Sequence, residues 1–309
     1  MTPGDTYRPQ RAATSRFVPV RGLHYHVLAW GWPGPAGVPP IVMVHGWMDV
    51  AASFQFVVDA LEGTGLAGRP IIAPDWRGFG LTEPPHPTDS YWFPDYLGDL
   101  DALLRALGIE GAVDLVGHSM GGNVVMSYAG VRPARVRRLV NLEGFGMPRT
   151  EPRHAPKRLA QWLDSLAEPQ SLRTYADVAE VAARLQKNNP RLTADKARWL
   201  APHWSRRADD GLLHILGDPA HKRPNPVLYR VEEILETWKL ITAPTLWVEA
   251  ANSEPEVWWG GRYTRVEFHE RLNAVPQARR CLLADCGHML HHDQPQALAA
   301  QLAAFLGEP

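Results

Sequence analysis

The sequence predicts an α/β protein: a mostly parallel, doubly wound sheet with a helical segment inserted into it. Three observations predict this class. Short apolar runs recur at residues 41–44, 71–73, 113–116, 139–142, 246–248 and 282–284, separated by helix-like stretches. Strands covered by helices on both sides must be apolar on both faces, so runs without alternation mark parallel strands. The pentapeptide Gly117-His118-Ser119-Met120-Gly121 joins the run 113–116 to a helical pattern of small residues at 122–129. Between residues 149 and 240 the alternation stops, and no run of the same kind appears.

Taken in order, the first sixteen residues are polar with interspersed proline and predict a loose tail (1–16). Residues 24–30 alternate and predict an early strand in an antiparallel edge, closed by the Trp32-Pro33-Gly34-Pro35 punctuation. The core is expected over 17–148 and 241–309, with a helical cap over 149–240. In the cap, Leu159, Trp162, Leu163 and Leu166 have i, i+3, i+4, i+7 spacing. Tyr175, Val178, Ala182 and Leu185 repeat a helical spacing that Asn188-Asn189-Pro190 ends. Asn225-Pro226 reads as an N-cap followed by proline at the first helical position, with Val227, Leu228, Val231, Leu235 and Trp238 along one face. Trp162, Trp199, Trp204 and Trp238 fall in this insertion. Each taken singly reads as core of the cap; a lid also needs apolar lining, which points to Trp162 and Trp204 as substrate contacts.

Composition narrows the function. At 309 residues, one α/β domain with an insertion fits. A formal net charge of −1 gives no electrostatic reason for a nucleic-acid or anionic-membrane partner. No apolar run reaches the ~20 residues of a membrane span, and no apolar signal segment follows Met1. The two cysteines, Cys281 and Cys286, make no disulfide framework and suit a cytoplasmic location with reduced thiols. A small-molecule substrate is the expected partner.

A strand that feeds a helix through a very tight turn forces the central residue into strained backbone and lifts its side chain above the sheet edge. That places Ser119 where open α/β sheets bind their ligands, beyond the carboxyl ends of the strands. A serine hydroxyl is a poor nucleophile until a base lies within hydrogen-bond reach. The chain has 13 histidines, so most are incidental. Adjacent His291 and His292 raise the question of zinc, but no third residue has compatible chain spacing, and neither metal nor other cofactor is expected.

These motifs together resemble the α/β-hydrolase fold superfamily, in its serine-nucleophile, esterase- or lactonase-like branch with a helical cap. The resemblance rests on His45-Gly46-Trp47, Asp75-Trp76-Arg77-Gly78-Phe79-Gly80, the pentapeptide at 117–121, and Gly287-His288 followed by Asp293-Gln294-Pro295. It implies Ser119 as nucleophile, His288 as base, and the backbone N–H groups of Trp47 and Met120 as oxyanion hole. It gives His118 no role. Arg77 is expected to pair with Asp75 or a nearby carboxylate, and Asp49 to be structural. For the acid, Ser253 stands where the usual loop would carry an aspartate, with Glu254 one position along. Glu143 follows another strand, 24 positions after Ser119. Some haloalkane dehalogenases and the zearalenone-type lactone hydrolases place a glutamate at a similar interval. Glu143 is the first choice and Glu254 the alternative.

Serine at position 119 excludes the alkyl-ester chemistry of epoxide hydrolases and haloalkane dehalogenases, which use a carboxylate nucleophile. The expected activity is hydrolysis of a carboxylic ester or lactone with an apolar or aromatic moiety, through an acyl-enzyme. A C–C bond or thioester hydrolase would use the same residues. A non-catalytic binding protein on this fold is the alternative of another class.

Overall fold

A computed structural model describes residues 6–308. Strands β1 (Thr14–Val20), β2 (Leu23–Trp30), β3 (Ile41–Val44), β4 (Ile71–Pro74), β5 (Val113–His118) and β6 (Val136–Leu142) come first. Three short strands follow: β7 (Thr174–Tyr175), β8 (Ser205–Arg207) and β9 (Leu213–Ile215). Then come β10 (Thr245–Ala250) and β11 (Ala278–Leu283). The main sheet has the order β1-β2-β4-β3-β5-β6-β10-β11. From β4 to β11 all pairings are parallel. The β1–β2 hairpin joins antiparallel to β4. Its two-residue turn, Arg21-Gly22, has φ of 49° and 81°, the positive pair a tight hairpin turn needs.

The parallel strands divide their side chains between two cores. In β3, Val42 and Val44 face one core while Ile41 and Met43 face the other. Leu115 and Val116 of β5, Leu139 and Val140 of β6, and Trp247 and Val248 of β10 split the same way. The apolar runs without alternation follow from this two-sided burial.

The alternating strand at 24–30 lies in an antiparallel edge as expected, paired antiparallel to β4 on one side and to an outermost strand, β1, on the other. Four of the first five residues of β1 are polar or exposed aromatic, and all but Val18 of those five face solvent, so no apolar pattern announced it. Residues 6–16 are not a loose tail, while residues 1–5 of that expected tail lie outside the described residues. The Asp59 carboxylate accepts hydrogen bonds from the Tyr7 hydroxyl and from the N–H groups of Gln10 (3.0 Å) and Arg11 (2.9 Å). Arg11 also pairs with Glu62 at 2.9 Å. Polar residues that read as solvated thus serve one buried acid.

The segment between β6 and β10 is mainly helical, with helices Ala155–Leu166, Val178–Asn188, Ala194–Trp204 and Val231–Lys239. It also holds a small antiparallel sheet, β7-β9-β8, that the helical expectation lacked. Its strands are two or three residues long, too short to show a period. The helix expected from Asn225-Pro226 begins only at Val231. The Asn225 side chain accepts from Val227 N–H at 2.9 Å, so it closes a turn instead of capping a helix. Helix Val231–Lys239 packs on helix Met120–Val131 at Gly130, where a Cβ would collide with the Thr237 carbonyl. Both cysteines are free thiols. No helix among the described residues is long and apolar enough to cross a membrane.

Candidate active site

Ser119 joins β5 to helix Met120–Val131 with φ 53° and ψ −115°, a conformation L-residues rarely adopt. The flanking glycines make that turn possible. A Cβ on Gly117 would meet the Gly121 carbonyl, and one on Gly121 would meet the Val44 carbonyl, both well inside contact distance. The Ser119 N–H is anchored to the Leu142 carbonyl at 2.8 Å.

Around it the structure brings together His288 and Glu143. His288 Nε2 lies 3.0 Å from Ser119 Oγ, and His288 Nδ1 lies 3.3 Å from Glu143 Oε2. A carboxylate only accepts, so Nδ1 carries the proton and Nε2 is left free to accept from the serine hydroxyl. Glu143 is fully enclosed, 1% exposed, at the end of β6. Its φ is 60°, and Asn141 clamps the following turn by bonding both the N–H and the carbonyl of Gly144, at 2.9 and 3.2 Å. Its Oε1 accepts from Ala250 N–H at 2.7 Å. Its Oε2 also accepts from the Ser253 hydroxyl.

Glu254, the alternative acid, points elsewhere. It is exposed at the start of the short helix Pro255–Trp258, while Ser253, one position earlier, turns inward. Ser253, at the position where an aspartate was expected, donates its hydroxyl to the Glu143 carboxylate instead. Only the three-dimensional meeting of β6 with the loop after β10 reveals this.

The expected oxyanion donors, Trp47 and Met120, line the same cavity as Ser119 and His288. His45 orients the first of them. The Trp76 N–H donates to His45 Nε2 at 2.9 Å, so His45 Nδ1–H donates to the Gly46 carbonyl at 2.7 Å. Across a trans peptide the N–H points opposite to the carbonyl, so this bond aims the Trp47 N–H the other way. Burial lowers the pKa of His45 and keeps the ring neutral for this task.

His118 has a positional role that chain order did not reveal. Its Nε2–H donates to the His288 carbonyl at 2.8 Å, tying His288 to the elbow. Desolvation pushes its pKa well below the ordinary histidine value. Gly287 N–H donates to Asp293 at 2.9 Å, and Trp258 packs edge-on against the His288 ring at 4.6 Å. Asp75 accepts from His26 (2.7 Å), Ala51 N–H (2.7 Å) and Leu81 N–H (2.9 Å). Arg77 pairs with Asp99 at 2.5 Å and Asp95 at 3.2 Å, not with Asp75. Both residues hold the loop in shape.

Ser119 opens into a cavity of about 950 Å³ beneath the cap. Trp92, Phe93, Phe145, Tyr229, Trp238 and Trp258 give it an aromatic wall. Neither Trp162 nor Trp204, the expected substrate contacts, is in that wall. Trp162 stands one layer out, its indole N–H donating at 3.0 Å to the hydroxyl of Ser90, which does line the cavity. Trp204 packs instead against a cluster in which Val181, Leu185 and Leu200 of the cap meet Val50 and Phe56 of the core. The wall comes from the loops at 90–92 and 226–230 and from helix ends at Phe93 and Trp258 as much as from the cap helices, so the helical periodicity of the cap was the wrong guide to it.

The zinc argument from chain spacing also needs revision. The fold sets Asp49, 240 positions or more away in sequence, beside His291 and His292, with donor atoms all within 4.8 Å of one another.

The chain belongs to the alpha/beta hydrolase fold family, whose profile matches residues 39–295. It is similar to the cis-3-alkyl-4-alkyloxetan-2-one decarboxylase of Shewanella oneidensis, 27% identical over 284 residues, covering 87% of this chain and 82% of that protein. It is 26% identical over 308 residues to the sn-1-specific diacylglycerol lipase ABHD11 of Mus musculus, covering 92% and 85%. Among solved structures it resembles the thioesterase domain from the curacin biosynthetic pathway. That match has a TM-score of 0.80 at 25% identity and covers 95% of this chain and 99% of that one.

Proposed function

We propose that the protein is a serine hydrolase that cleaves a carboxylic ester or lactone with apolar or aromatic substituents. The observation that carries this reading is the continuous line Ser119–His288–Glu143 at the floor of an aromatic cavity. Ser119 Oγ attacks the acyl carbon as His288 Nε2 takes its proton. The developing oxyanion is held by the Trp47 and Met120 N–H groups, each such donor being worth roughly 3–4 kcal/mol. Glu143 stabilises the imidazolium. The alcohol leaves with the proton from His288, and water activated by the same nitrogen releases the acid. No cofactor takes part. The oxetan-2-one in the bacterial relative's name is a cyclic ester bearing alkyl groups, and the lipase's name denotes an acylglycerol; both names fit an apolar acyl substrate.

The likeness to a thioesterase domain over nearly its whole length favours one second reading, thioester hydrolysis by the same residues. A fluorophosphonate probe should label the protein at Ser119 and lose its target in Ser119→Ala. Matched acyl esters, lactones and thioesters then separate the two readings by kcat/KM. Absence of labelling in folded protein would favour a binding module and end the hydrolase assignment.

A further inference from the structure

Behind the elbow lies a buried group of polar atoms that the proposed chemistry does not use. Asp49 Oδ2, both ring nitrogens of His291 and both of His292 have no hydrogen-bond partner among the described residues. All three residues are 3% exposed or less. Asp49 Oδ1 is satisfied by Val50 N–H at 2.8 Å and by the Ser53 hydroxyl, so only Oδ2 is free. The Oδ2 to His291 Nε2 distance is 3.7 Å, too long for a hydrogen bond. Buried polar atoms are almost always paired, and five orphans in one place call for a ligand.

We infer that Asp49, His291 and His292 form a binding site for a first-row divalent transition metal such as Zn²⁺. Two imidazoles and one carboxylate suit Zn²⁺ or Co²⁺, whereas Mg²⁺ and Ca²⁺ favour oxygen ligands. Around a tetrahedral ion, metal–ligand distances of about 2.0–2.2 Å set the donors roughly 3.4 Å apart. The 3.7 Å pair is close to that separation, and the donors, all within 4.8 Å of one another, draw in by at most about 1.4 Å when the ion binds. Asp49 follows the His45-Gly46-Trp47 turn, and His291 and His292 sit in the short helix Leu290–Asp293 just after His288. An ion there joins the oxyanion segment to the segment that carries the base. It therefore acts as a structural clamp and touches no substrate. His118, whose Nδ1 is also unpartnered, lies 4.4 Å ring to ring from His291.

The test is metal content and stability, which do not depend on the substrate. Chelator-stripped protein is incubated warm and overnight with Zn²⁺, Co²⁺ or Mg²⁺, because an enclosed site exchanges slowly. Expected are one Zn²⁺ per chain, a higher melting temperature with Zn²⁺ but not Mg²⁺, and visible ligand-field absorption with Co²⁺. Asp49→Asn and His292→Gln should each weaken Zn²⁺ binding at least a hundredfold. Should one of them fail to fold, the other carries the test. His214→Gln, at the exposed Asp210–His214 pair, should change nothing. Three results overturn the assignment: no stoichiometric Zn²⁺ in the folded wild type, binding that survives both substitutions, or binding lost in His288→Gln but kept in Asp49→Asn.

Discussion

Glu143→Gln tests the proposed relay at its most informative atom. In the native site Oε1 accepts from Ala250 N–H, while Oε2 accepts from the Ser253 hydroxyl and faces His288 Nδ1. A glutamine must keep its carbonyl toward Ala250, which can only donate. Its NH₂ then occupies the Oε2 position and donates toward His288 Nδ1. That nitrogen must accept, so the proton moves to Nε2, which can no longer take one from Ser119. The imidazolium also loses its counter-charge. An effect of up to ~10⁴-fold in kcat is expected, as for the corresponding change in a related relay. That corresponds to about 5.4 kcal/mol of barrier. Glu254→Gln should change kcat less than about twofold, because that side chain is exposed and outside the site. Ser253 offers a rescue. Its hydroxyl already lies on Oε2, so Ser253→Asp added to Glu143→Gln returns a carboxylate to the neighbourhood of Nδ1 and should regain roughly ten- to a hundredfold. The assay is p-nitrophenyl ester hydrolysis, with melting temperatures measured alongside. Retention of more than a tenth of wild-type kcat in folded Glu143→Gln, or an equal loss in Glu254→Gln, would refute the reasoning.

Ser119→Ala should lower kcat at least ~10³-fold with an unchanged melting temperature, since it removes one hydroxyl; wild-type-like turnover would end its assignment as nucleophile. Trp92→Ala and Trp258→Ala should change the preference among acyl chain lengths, whereas Trp204→Ala should lower the melting temperature and leave the preference intact; the opposite split would remove the cavity as the substrate site. His221 is stacked between Phe79 and Tyr91 at 3.8 and 3.7 Å, and burial lowers its pKa from 6.5 to about 3. Between those values the unfolded chain binds a proton that the folded chain refuses, so stability present above pH 6.5 is lost as the pH falls toward 3, by up to about 1.4 kcal/mol per unit. His221→Gln should flatten that part of the urea-midpoint profile, and parallel profiles for variant and wild type would sink the explanation.

The sequence by itself determined most of the sheet and the strand-to-helix turn at Ser119, because both rest largely on local constraints. Two-sided burial writes apolar runs without alternation into β3, β5, β6 and β10, and the elbow needs glycine at 117, where a Cβ would meet the Gly121 carbonyl four residues on. Strand β1 and the β7-β9-β8 sheet were invisible, since an exposed strand, or strands of two or three residues, bury too little to show a period. Sequence alone named Glu143 and Glu254 as candidate acids, but it could not say which one faces His288. That choice depends on the loop after β10 folding back onto the end of β6, which buries Ser253 against Glu143 and leaves Glu254 in solvent. The aromatic wall and the Asp49–His291–His292 group were decided in the same way. Their members lie on separate loops and helices, up to 243 positions apart in the chain, and only the closing of the tertiary structure makes them neighbours.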